Sequence, residues 1–84
     1  MKHGFVTLRL ADAAGVPVTA AVVTIAAASA DFPERAFVPD DAGRVTIALP
    51  VGAAVLEVRF EGMDARRIAV EARAGGDLEV ALIR

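Results

Sequence analysis

Two phrases of the same make constrain this chain most: Asp12-Ala-Ala-Gly-Val-Pro-Val18, leading into Ala21-Val-Val-Thr-Ile25, and Asp40-Asp-Ala-Gly-Arg-Val-Thr-Ile-Ala-Leu-Pro-Val-Gly52. Each is a polar, glycine-containing turn that opens onto an apolar, β-branched run. Asp hydrogen-bonds nearby backbone amides, Gly takes up a positive φ, and Val, Thr and Ile lose rotamer freedom in a helix but not in a strand. The phrases therefore read as hairpin punctuation in an all-β domain.

Two-residue alternation carries the same reading along the chain. Val6, Leu8 and Leu10 alternate with Phe5, Thr7 and Arg9 in a first strand. Val18 to Ala28 mixes helix-favouring alanines with β-branched residues, and is assigned to a strand with Ala21, Val23 and Ile25 inward. Ser29 to Pro33 is a loop and Glu34 to Val38 a short strand. Arg44 to Leu49 points Val45, Ile47 and Leu49 inward, and the next strand does the same with Ala54, Leu56, Val58 and Phe60. About Ala65 to Ala72 form a sixth strand with Ile68 and Val70 inward. After Gly75-Gly76-Asp77, Leu78, Val80 and Leu82 form a seventh inward row. Turns every 8–12 residues with no helical pattern between them predict a seven-stranded antiparallel sandwich.

The 84 residues make one small domain, residues 1–84, with no cysteine for disulfides or thiolate metal sites. Nine basic and 11 acidic residues are interspersed, giving a formal charge of −2 and no basic block for nucleic acid or an anionic membrane. No apolar run approaches a membrane span, and the N-terminus lacks a signal-peptide stretch. If these residues are the whole protein, the expected location is the cytoplasm; for a domain of a longer chain that expectation lapses.

The order of phrases resembles the carboxypeptidase regulatory-like domains of the transthyretin-like (prealbumin-like) group. It runs as a strand, Asp-x-x-Gly-x-Pro-Val, Ala-x-Val-Thr-Ile, Asp-x-x-Gly-Arg-Val-x-Ile-x-Leu-Pro-x-Gly, a strand ending near Gly62, and Ala-Gly-Gly-Asp-Leu-Glu-Val. The resemblance implies a seven-stranded Greek-key sandwich that serves as an accessory, adhesion or docking module without shared catalytic residues. The chain departs from it at Glu61, where a proline-like turn residue is usual, and at Ala54 and Met63, where such domains often place tyrosine. Hydroxyisourate hydrolases share the fold group, but their C-terminal Tyr-Arg-Gly-Ser signature is absent from a chain ending Ala-Leu-Ile-Arg84.

The residue inventory points away from catalysis. Ser29 and His3 are the only serine and histidine, and they read as a loop residue and a solvated strand start rather than a nucleophile and base. Asp40 and Asp41 read as turn formers, and Glu57 and Glu61 as cross-strand charge partners. Arg66, Arg67, Arg73 and Arg84 read as solvated edge charges. No catalytic residue, metal or cofactor is expected, and the chain is expected not to be an enzyme. The expected function is a non-catalytic protein-interaction or structural module, with a small-ligand or carbohydrate-binding module as the alternative.

Partner contacts are expected of Phe32 and Phe37 in the longest irregular stretch, with a core cap as the alternative for Phe37, and of the outward-facing Phe5, Val22, Val55 and Ile83. The last four form one patch only if strand order places them together. A protein partner or a second copy, as a homodimer, is the expected occupant, because 56% apolar residues exceed what one small core encloses.

Overall fold

Glycine and proline cut the alternating runs into separate strands. The computed structural model describes residues 2–84, with β1 (His3–Ala11), β2 (Ala21–Ala27), β3 (Arg44–Pro50), β4 (Gly52–Phe60), β5 (Arg66–Ala72) and β6 (Asp77–Ile83). They form two three-stranded sheets, β3-β1-β6 and β2-β4-β5, with no helix among the described residues. The apolar rows of the two sheets close on one core. Val6, Leu8, Val23, Ile47, Leu49, Leu56, Val58 and Phe60 are fully excluded from solvent.

The two Asp-x-x-Gly phrases adopt one geometry. Asp12 Oδ1 accepts the amides of Ala14 and Val16, each at 2.9 Å, and the Gly15 amide donates to the Asp12 carbonyl. Asp40 Oδ1 likewise accepts the amides of Ala42 and Arg44 at 2.9 Å, with the Gly43 amide on the Asp40 carbonyl. Both glycines sit at positive φ, +85° and +75°, where a Cβ is strained. The second turn also serves the first sheet, since the Leu10 amide donates to the Gly43 carbonyl at 2.8 Å.

Three expectations are corrected. The described residues form six strands, not seven: Glu34 to Val38 contributes only a bridge between Phe37 and Val23, whose amides and carbonyls exchange two bonds of 2.8 Å. The next bonding position on one side is Pro39, which supplies no amide, so the ladder cannot extend past Phe37 in that direction. The pairing is not wholly antiparallel, because β6 lies parallel to β1 from Phe5↔Asp77 to Ala11↔Ile83. The crossing from β5 in one sheet to β6 in the other lets the last strand run alongside the first. Finally, Val80 and Leu82 are only half-buried and Leu78 is 40% exposed, although all three share the inward side with Val6, Leu8 and Leu10.

Candidate interaction surface

Backbone hydrogen bonds show which strand edges are free. The Phe5 amide donates to the Gly76 carbonyl and the Arg84 amide to the Ala11 carbonyl. Evenly spaced parallel bonding between these ends turns the even-numbered residues of β6 toward β1. The amides and carbonyls of Asp77, Glu79, Ala81 and Ile83 then face away from the sheet. In the other sheet, Val23 bonds outward to Phe37. The registers Val22↔Arg59 and Leu56↔Ile68 carry this alternation across β4, leaving Arg67, Ala69 and Glu71 facing outward on β5.

The opposite edges are covered or blunted. The bridge through Phe37 caps β2, and the same segment runs on beside Arg44–Thr46 of β3, where the Asp40 amide donates to the Arg44 carbonyl. Further along β3, the Leu10–Gly43 bond and the antiparallel register turn Pro50 to the outer edge, where its missing amide costs no ladder bond. Phe32 and Phe37 pack against the core from this segment, and the Arg35 guanidinium lies 5.1 Å from the centre of the Phe37 ring. Residues 28–43 thus seal one side of the molecule. At β5 and β6 only the short turn 73–76 joins the sheets, and the inward side chains of β6 stay half-covered.

The residues singled out from the sequence are placed apart. Phe5 (49% exposed) and Ile83 (50%) are on the outer face of β3-β1-β6, but Phe5 pairs with Asp77 and Ile83 with Ala11. Six residues along a strand separate them by roughly 20 Å. Val22 and Val55 lie on the outer face of the other sheet, opposite Arg59 and Ala27 respectively. The four do not form one patch. The arginines do not gather either: Arg66 covers the Phe60 ring at 5.1 Å, Arg67 reaches Glu57 at 3.6 Å, and Arg73 and Arg84 follow the ends of different strands. Sequence reasoning placed Leu78, Val80 and Leu82 in the core and so passed over the edge they line. Three consecutive inward apolar residues on the last strand were the available signal.

Little in the arrangement is chemically reactive. The Ser29 hydroxyl donates to the Val51 carbonyl at 2.6 Å, holding a loop against the start of β4. No cluster of three or more His, Asp or Glu side chains suited to a metal occurs among the described residues. A shallow hollow of about 680 Å³ lies where β2 begins and β4 ends, lined in part by Val22, Arg59, Phe60 and Met63.

Among known proteins, the model of one family, described as the carboxypeptidase regulatory-like domain, matches residues 5–83. No curated protein matches the chain.

Proposed function

Since the chain belongs to the carboxypeptidase regulatory-like domain family, in the transthyretin-like group, we propose that it is a non-catalytic docking module that presents β6 as its contact edge. We read its two sheets as the Greek-key sandwich of that group with one strand reduced to a bridge. The observation that carries the docking role is the free edge of β6. Four consecutive outward-facing residues, Asp77, Glu79, Ala81 and Ile83, are flanked by the partly uncovered Leu78, Val80 and Leu82. Such an edge accepts another strand through main-chain bonds, and alternate side chains set the preference.

A display library of extended peptides tests the reading. Peptides with alternating apolar residues are expected to be enriched, and Ala81→Pro, which deletes one outward amide, is expected to weaken them about tenfold or more. No enrichment, or binders indifferent to Ala81→Pro, would overturn it. The hollow near Met63 favours small-ligand or carbohydrate binding as a second reading. Sugars commonly stack on Trp or Tyr, and the chain has neither, so an oligosaccharide array is expected to show no saturable binding.

A further inference from the structure

We propose that β6 pairs antiparallel with β6 of a second copy about a two-fold axis at Val80, joining two β3-β1-β6 sheets into one of six strands. The inference rests on the docking role of this edge and names its occupant. With the odd-numbered residues facing outward, the directly opposed, hydrogen-bonded pairs are odd with odd. Centring on Val80 sets Asp77 against Ile83 and Glu79 against Ala81 of the second copy. It overlaps the whole strand and allows about eight main-chain bonds. Moving the centre to Glu79 sets Glu79 against itself, which like charge disfavours. Moving it to Ala81 opposes only Glu79, Ala81 and Ile83 within the strand, because Asp77 then faces a position outside β6.

Side chains support the same register. On the inward side Leu78 faces Leu82 of the second copy and Val80 faces its own counterpart, so the residues only partly covered within one chain cover one another. On the outward side the two Glu79 carboxylates become diagonal neighbours, and each already lies 3.4 Å from the Arg9 guanidinium of its own chain. The edge of β5 is the competing surface. It presents Arg67, Ala69 and Glu71, but its inward Val70 and Ala72 are already buried within one chain, so pairing there covers less apolar surface than pairing at β6.

Light scattering across micromolar concentrations is expected to give twice the chain mass. Ala81→Pro should give the single-chain mass at every concentration with its β-sheet circular dichroism retained, and Ala69→Pro should leave the dimer intact. Because the chain has no cysteine, Val80→Cys supplies a single thiol opposite its own counterpart. The Cα separation of about 4.5 Å in a non-hydrogen-bonded pair lies within disulfide range. Val80→Cys should therefore cross-link under mild oxidation while Ala69→Cys does not. If Ala81→Pro fails to fold, concentration-dependent exchange protection at the Glu79 and Ala81 amides of the unaltered chain decides the matter. A single-chain mass throughout, loss of the dimer only in Ala69→Pro, or equal cross-linking of both cysteine variants would overturn the pairing. A monomer that still binds peptides through Ala81 would overturn self-pairing and leave the docking role standing, whereas a monomer that binds no peptide would overturn both.

Discussion

Replacing Phe60 with alanine is expected to cost about 3–5 kcal/mol of stability, the range for deleting a buried aromatic side chain. Phe60 is the largest of the fully buried side chains and pairs with Ala21, whose methyl cannot fill the space. Its carbonyl also accepts the Met63 amide at 3.0 Å, which closes the turn from β4 toward β5. A domain of 84 residues has roughly 4–13 kcal/mol in total at typical per-residue values, so the variant should be largely unfolded at modest denaturant concentration. Urea titration followed by circular dichroism measures the loss. Arg66→Ala, which removes the partly exposed cation over the ring, is expected to cost about 1 kcal/mol or less. Equal losses for the two variants would contradict the burial of the ring.

Gly43→Ala and Gly15→Ala are expected to separate widely although the two turns share one geometry. Gly15 has open space around the position of a Cβ, so alanine there meets only the positive φ, at about 1–3 kcal/mol. At Gly43 the same strain applies, and the Cβ would run into the Leu10 carbonyl and press within 3.2 Å of Pro17 Cβ. Those are backbone and ring atoms with little room to give, and overpacking adds about 1–3 kcal/mol. The expected total is about 2–6 kcal/mol. The Leu10 amide bond to Gly43 ties the damage to the core, so thermal unfolding of Gly43→Ala should begin well below that of Gly15→Ala. Similar melting temperatures would show that the turn can move away from β1.

Alternation told which side of each strand is apolar, because side chains leave a pleated backbone on opposite faces in turn. That sufficed for β1, β3 and β4, where Val6, Leu8, Ile47, Leu49, Leu56 and Val58 are buried as their spacing implies. It could not tell whether the facing sheet reaches far enough to cover a row, and Val80 and Leu82 therefore stay half-exposed. Nor does it carry strand direction, so the parallel pairing of β1 with β6 was not legible. Pro39 was legible, and it stops the pairing of that segment with β2 on the side after Phe37. At the candidate surface, the outward orientation of Ile83 was readable from its own strand. Its distance from Phe5, and the opening beside Leu78, depend on strand order, which local pattern does not contain.

The parallel alignment of β1 with β6 also sets how the domain responds to tension. Lys2 precedes β1 at one end of that pair, and Arg84 follows β6 at the other. A pull applied at these two residues slides the strands lengthwise past each other and loads the bonds from Phe5 to Arg84 together, rather than opening them one at a time. Along this direction the domain resists as a shear clamp, whereas a pull across the free edge of β6 would peel its bonds in sequence.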